Sequence, residues 1–490
     1  MTLEGSPPEP DSAGVSAGEG RIVTGMGRTQ DLAERAVYQT LRVVLGAAAR
    51  VYFSRIQVRH PERLPRRGPL LVVANHPASL TDVLVLGPAL PRRLHFVAYS
   101  GLFKPWPLGV LLRLAGTVPV YRQQEGREHM HQNQEMFRAC NAVLRTGEAV
   151  LIFPEGTSVG DRSVEKLRTG AARMAFAYEF DAAGAAGAEP LCLLPIGIHF
   201  DQRDLFRSAV TLSVGRPLEL EPLRTVHERD PVQAVRELTD RIQAALEKLI
   251  LNIPSRELVK LVHDVERLYL GDLQLRSPQA PELALCRSIS DCIEFYHRHD
   301  RERLFRIWRS VNTYRRKLAM ARVNDEAIRG MGAGRSGAEP TLGALLGAVP
   351  AIAGAILHYV PYRVSGLAGL LFASADPTRT AFARIMTGLV LFPATWLFYG
   401  WLIRRTTQWT WGLVVVAVVG CALLGLFADG YLRWFRHERQ HLRVEWLART
   451  HRRVVARLRV ERRRLIRLLD SARDDYLAAV AAVKTDPGRA

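Results

Sequence analysis

Apolar and polar positions change period three times along this 490-residue chain, and each change predicts a different kind of structure. After a small-residue, acidic tail at 1–28, apolar positions from Asp31 to Phe53 recur at helical spacing between arginines. That spacing predicts an amphipathic helix over 29–54, seated on a core or on a membrane surface. Between 55 and 221 short apolar runs alternate with helical patterns. PLLVVAN, RLHFVAYS, GTVPVY, AVLIFPE, LCLLPIGIHF and VTLSVG are rich in β-branched residues and bounded by Pro or Gly, as strands are. DVLVLGPAL, HQNQEMFRACNAVLRTG and RTGAARMAFAYEF carry helical periodicity between them. Strands that are apolar at every position, alternating with helices, predict an α/β domain with a mostly parallel sheet flanked by helices.

Over 222–329 the strands stop, and three helical patterns with charged outer faces predict a helical region, closed by a Gly-rich linker at 330–340. The segment 341–432 is membrane-like in composition. Ile385–Ile403 and Trp409–Phe427 are each 19 residues without a charge, long enough to cross roughly 30 Å of hydrocarbon. They predict a transmembrane helical hairpin, with 342–375 as a further re-entrant or spanning element. Trp396, Tyr399, Trp401, Trp409 and Trp411 crowd the end where Arg404 to Gln408 joins the two spans, as an interfacial belt does. The tail at 433–490 is predicted as a basic amphipathic helix with an apolar stripe of Trp446, Leu447, Val454, Leu458, Leu465 and Leu469, an arm for anionic lipid headgroups. Arginines flank the outer ends of the hairpin more densely than its loop, which predicts an integral membrane protein with the α/β domain and tail in the cytoplasm.

Charge narrows the partners. The chain has 67 Lys+Arg against 48 Asp+Glu, a formal net charge of +19, which calls for a polyanion: nucleic acid, an anionic membrane or a phosphorylated substrate. Five scattered cysteines (Cys140, Cys192, Cys286, Cys292, Cys421) show no ligand-like spacing, so neither a disulfide framework nor a metal site is expected.

Candidate chemistry lies at the ends of the apolar strands, where open α/β sheets place their sites. In VVANHPASLTD the strand ends in Asn75 and His76, and Asp82 follows six places after the histidine. A carboxylate on one imidazole nitrogen fixes the tautomer and leaves the other free to take a proton from a hydroxyl. FPEGTS, Phe153 to Ser158, follows a second apolar strand, and Gly156 lets backbone N–H groups approach an anion. Lys166, Arg168 and Arg173 lie downstream, and GTVPVYR ends in Arg122, whose planar fork suits a phosphate. LLPIGIHF is a core strand.

In this order the four segments resemble the glycerolipid acyltransferase family, the lysophosphatidic acid and glycerol-3-phosphate acyltransferases, over roughly residues 55–220. Asn75, His76 and Asp82 match its first motif, Arg122 the end of its second, Phe153 to Thr157 its third and Leu194 to Gly197 its fourth. The C-terminal apolar hairpin resembles a branch with membrane helices after the catalytic domain. The resemblance implies an O-acyltransferase of phospholipid biosynthesis that needs no cofactor or metal. His76 and Asp82 would be catalytic, with Asn75, Arg122, Glu155, Gly156, Thr157 and Arg168 binding substrate. The donor would be acyl-CoA or acyl-carrier protein, and the acceptor glycerol-3-phosphate or lysophosphatidic acid. This chain departs from the family in having five residues between histidine and aspartate where four are usual, and Ser158 where arginine is frequent. An extra residue on a continuous helix rotates a side chain by about 100°, so the turn at 77–79 must absorb it before the helix starts. The longer spacing also leaves open a catalytically inactive, membrane-anchored lipid-binding scaffold. A nucleic-acid-binding protein would explain the charge but neither the hairpin nor the motifs, so no nucleic acid partner is expected.

Overall fold

The computed structural model describes residues 23–103, 109–110, 112–113, 116–120, 130–156, 164–180, 189–250, 256–330, 342–373 and 377–485. Seven strands, β1 (Arg55–Arg59), β2 (Leu70–Ala74), β3 (Leu94–Tyr99), β4 (Val118–Val120), β5 (Ala149–Ile152), β6 (Cys192–Phe200) and β7 (Ala209–Val214), form one sheet in the order β1-β7-β6-β2-β5-β3-β4. Every neighbouring pair is parallel except β6–β7. The short strand RIQVR, β1, has polar alternate positions and lies at the sheet edge, which is why the apolar pattern did not single it out.

Both faces of the sheet are covered, which accounts for the unbroken apolar runs. Leu70, Val72 and Ala74 of β2 point to one face with Ala49 and Tyr52 from helix α1 (Val23–Tyr52), Phe53 just after it, and Leu84, Val85 and Leu86 from α2 (Leu80–Ala89). Leu71 and Val73 point to the other, against α3 (Met130–Arg145) and α4 (Gly170–Glu179). After α5 (Arg224–Arg229), helix α6 (Pro231–Leu249) lies beyond the boundary expected at 221, yet it completes this second face through Ala234, Leu238, Ile242 and Leu246. Asp230 caps α6 by accepting from the Val232 and Gln233 N–H groups, each at 3.0 Å.

A second core is purely helical. It is built from α7 (Arg256–Arg276), α8 (Glu282–His299), α9 (Arg301–Ala321) and α10 (Asp325–Gly330). The pattern running through 282–323 breaks at Asp300, whose carboxylate caps α9 at the Arg303 N–H. The tail is two helices here. α14 (Trp411–Thr450) and α15 (Arg452–Thr485) part at His451, and Leu447, Leu458, Leu465 and Leu469 enter this core. The stripe expected to rest on lipid is therefore largely occupied by protein. Arg462 bridges Asp272 of α7 and Asp325 of α10, and Asp325 also accepts from Tyr314 Oη at 2.6 Å.

Among the described residues, two helices are long and apolar enough to cross a membrane, α13 (Thr380–Thr406) and the first half of α14. They keep most of their surface unburied, unlike core helices. α11 (Leu342–Leu357) lies along α14, with Tyr431 Oη donating to the Ala344 carbonyl at 2.6 Å and Gly354 against the Leu424 carbonyl. α12 (Tyr359–Ala373) returns along α13, with Gly369 against Arg384. His358 is the one residue between α11 and α12. Its Nε2 accepts from Trp396 Nε1 and its Nδ1 donates to the Gly354 carbonyl, both at 2.9 Å, while Tyr399 Oη holds the Leu357 carbonyl at 2.6 Å.

Removing one partner of a buried charge network leaves the others unpaired, at about 3–5 kcal/mol. Arg462→Ala is expected to destabilise the helical core by about 3 kcal/mol, read as faster hydrogen exchange in Arg256–Arg276 and Asp325–Gly330 with α13 unaffected.

Candidate active site

β2 and β5 are neighbours in parallel register, Val73 opposite Ile152, so the segments after them leave the sheet side by side. From β2 come Asn75 and His76, and from β5 come Phe153, Pro154, Glu155 and Gly156. Their first contact is a ring stack. Phe153 lies on the His76 imidazole with centroids 3.9 Å apart and planes 14° from parallel. Glu155, buried, accepts from the His76 backbone N–H at 3.2 Å. The first and third motifs thus form one unit.

The extra residue before Asp82 is absorbed in the turn. Ser79 takes φ 51°, ψ −131°, α2 begins only at Leu80, and the Thr81 and Asp82 N–H groups bond back to Ala78 and Ser79. Asp82 Oδ2 consequently lies 2.8 Å from His76 Nδ1 and accepts from the Ala78 N–H at 2.9 Å. The Asp82 side chain is fully buried and that of His76 is 18% exposed. Nδ1 is occupied by the carboxylate, so the second ring nitrogen is the one left for a substrate. Burial pushes the Asp82 carboxyl above the ordinary carboxylate range, while His76, the Ala78 N–H and Arg203 pull it back. Burial likewise raises Glu155 from the ordinary 4.5 to about 8, reinforced by Asp82 and opposed by the His76 N–H.

The Asn75 carboxamide donates to the Ile198 carbonyl at 3.0 Å and accepts from the Ile198 N–H at 2.7 Å. It clamps the end of β2 to β6, and this is what the fourth segment contributes. Gly156 adopts φ +69°, and a Cβ there would meet Arg168 Nε at 2.6 Å, so the exposed Arg168 crosses directly over the glycine. The Arg168 N–H is fixed to the Pro154 carbonyl at 2.8 Å. Lys166 and Arg173 are exposed nearby in sequence. Arg122 and Thr157, with Ser158, lie outside the described residues. Cys140 is buried and its thiol is pushed up to about 12, unsuited to a nucleophile.

One residue escaped the sequence reading. Arg203, in the loop after β6, donates from Nη1 to the Pro77 carbonyl at 3.1 Å and so holds the very turn that brings Asp82 to His76. The next residue, Asp204, offers its carbonyl to Arg384 of α13 at 2.5 Å. Ala381 and Ile385, on the same helix, enter the core beneath the sheet. Nothing in FDQRDLF marks Arg203 beforehand; its role depends on tertiary contact alone.

A family model described as Acyltransferase matches residues 55–198. Glycerol-3-phosphate O-acyltransferase 2 of Saccharomyces cerevisiae is 26% identical over 200 residues, which are 40% of this chain and 26% of that protein. The 1-acyl-sn-glycerol-3-phosphate acyltransferase alpha of Mus musculus is 30% identical over 135 residues, 28% of this chain and 46% of that one. The chain thus spans less than half the length of these curated relatives. The crystal structure of the 1-acyl-sn-glycerophosphate (LPA) acyltransferase PlsC from Thermotoga maritima aligns with 46% of this chain and 84% of that one, at 17% identity and a TM-score of 0.31.

A non-glycine residue in the Ser79 conformation stores about 1–3 kcal/mol, and no side-chain cap is lost on its replacement. Ser79→Gly is therefore expected to raise stability by about 1 kcal/mol, read by thermal denaturation. Glu155 generates the second prediction. Its folded-state pKa lies above its unfolded value, so the folded state binds the extra proton. The stability it contributes is whole below 4.5 and is lost as pH rises toward 8. Glu155→Gln should flatten the fall in melting temperature across that interval.

Proposed function

We propose that this protein, whose residues 55–198 match a family model described as Acyltransferase, transfers a fatty acyl group from a thioester to a hydroxyl of a glycerol phosphate. The observation that carries this reading is the His76–Asp82 pair, 2.8 Å apart at the carboxyl end of β2 and joined to the loop after β5.

In the proposed reaction His76 Nε2 takes the proton of the acceptor hydroxyl as the oxygen attacks the thioester carbonyl. Asp82, hydrogen-bonded to Nδ1, stabilises the imidazolium that forms. Collapse of the tetrahedral intermediate breaks the carbon–sulfur bond, and the leaving thiolate receives the proton. General-base catalysis contributes about 10²–10⁴-fold. Phe153 and Glu155 hold the histidine ring and backbone, and Arg203 holds the turn. Positioning of the acceptor phosphate falls to Arg122, Thr157, Gly156 and Arg168, and supplies much of the remainder.

The acceptor is glycerol-3-phosphate or 1-acylglycerol-3-phosphate, and the donor is acyl-CoA or acyl-carrier protein, classes that the names of the relatives support. α13 and α14 anchor the protein in a bilayer with the α/β domain on the cytoplasmic side. The reading rests on the excess of arginines beyond the outer ends of the hairpin. The scaffold alternative drew on the longer His76–Asp82 spacing, and the turn at 77–79 removes that support by restoring the contact.

The test is acyl transfer from labelled acyl-CoA or acyl-carrier protein by the purified full chain in lipid, with both acceptors side by side. His76→Ala should lose at least about 10²-fold in kcat, with Asp82→Asn impaired as well. No transfer to either acceptor from either donor by folded protein would overturn the proposal.

A further inference from the structure

Where α14 leaves its apolar stretch, a cavity of about 550 Å³ opens between the turn that ends α9 and one face of α14. Its polar lining is Arg322 and Asn324 on one side and Arg436, His437, Arg439 and Gln440 on the other. Among the described residues no carboxylate lines it; Glu326 approaches His437 from outside, at 3.7 Å. Arg322, Arg436 and Arg439 are exposed and form no ion pair among the described residues. Arg322 stands at the αL position that closes α9, φ 53°, where glycine is ordinarily preferred. A non-glycine residue tolerates that strain at ligand-binding positions more often than elsewhere. Gln440 adds a buried Oε1 that accepts no hydrogen bond among the described residues, which calls for a donor.

Depth selects the ligand. From Trp411 to Ala428 the helix rises about 26 Å, close to the roughly 30 Å of hydrocarbon, and the charged Asp429 closes the stretch. Leu432, Trp434 and Phe435 are exposed, and the two aromatic residues mark an interface. Residues 436–440 begin one position beyond them, so the cavity lies in the headgroup layer, on the side where Asp429 meets Arg207 of the α/β domain at 3.6 Å. A phosphate there meets three arginines, and a headgroup hydroxyl beyond it can satisfy Gln440.

We infer that this cavity binds the headgroup of an anionic, hydroxyl-bearing phospholipid such as phosphatidylglycerol, pinning the junction of the membrane hairpin and the helical core. The inference rests on the membrane placement proposed above and not on acyl transfer. Its readout is lipid binding, so it can stand or fall independently of catalysis.

The test titrates full-length protein in neutral detergent with dihexanoyl phosphatidylglycerol, dihexanoyl phosphatidylcholine or inorganic phosphate, following binding by thermal shift. Phosphatidylglycerol should bind at least about 10-fold more tightly than either alternative, and Arg436→Ala with Arg439→Ala should weaken it by about 30-fold, roughly 5-fold per arginine. Gln440→Leu should weaken it by about 5-fold, one hydrogen bond. Arg322→Gly relieves the strained turn, so it should remain folded while also losing about 5-fold. Equal affinity for phosphatidylcholine, or phosphatidylglycerol binding unchanged in Arg322→Gly, overturns the inference. Inorganic phosphate binding as tightly as phosphatidylglycerol makes this a free-phosphate site and overturns the lipid assignment.

Discussion

β2 is buried on both faces, and a strand so enclosed has no freedom to slip by one residue. Leu70, Val72 and Ala74 must face α1 and α2 while Leu71 and Val73 face α3 and α4. Asn75 and His76 therefore leave the sheet in one fixed direction, and Asn75 secures it by bonding both backbone groups of Ile198. The histidine needs little help beyond that. Its ring is stacked on Phe153, its N–H is held by Glu155 and its Nδ1 by Asp82. Apolar packing and Asn75 supply the direction, and three polar or aromatic contacts supply the final placement.

This division explains what was readable beforehand. The six apolar strands, the helices between them and the two long apolar spans follow from periodicity, because burial on two faces or exposure to hydrocarbon leaves a local compositional mark. So did the pairing of His76 with Asp82, including the need for a turn at 77–79. Other assignments depended on contacts distant in sequence. The resemblance assigned Asn75 to substrate binding, and its pair of bonds to Ile198 shows only in the folded chain. Phe153 looked like an ordinary part of its motif, and Arg203 like an ordinary loop arginine. Edge strand β1 offered only two apolar positions, Ile56 and Val58, too few to register.

The C-terminal half shows the same ambiguity on a larger scale. An arginine-rich helix with an apolar stripe fits a lipid surface or another helix equally well by composition. Here Leu447, Leu458, Leu465 and Leu469 meet α7 to α10, and the network around Arg462 adds specificity of pairing. The stripe's remaining members, Trp446 and Val454, stay exposed.

The adjacency of Arg203 and Asp204 has a further meaning. One residue grips the turn beside His76 through the Pro77 carbonyl, and the next gives its own carbonyl to Arg384 of α13. The loop after β6 is thus a mechanical strut between the long apolar helix α13 and the proposed catalytic turn, with Ala381 and Ile385 as its footing in the core. A protein cut before the membrane segment would retain every motif recognised in the sequence while losing that footing. Helix α13 is a structural member of the candidate site.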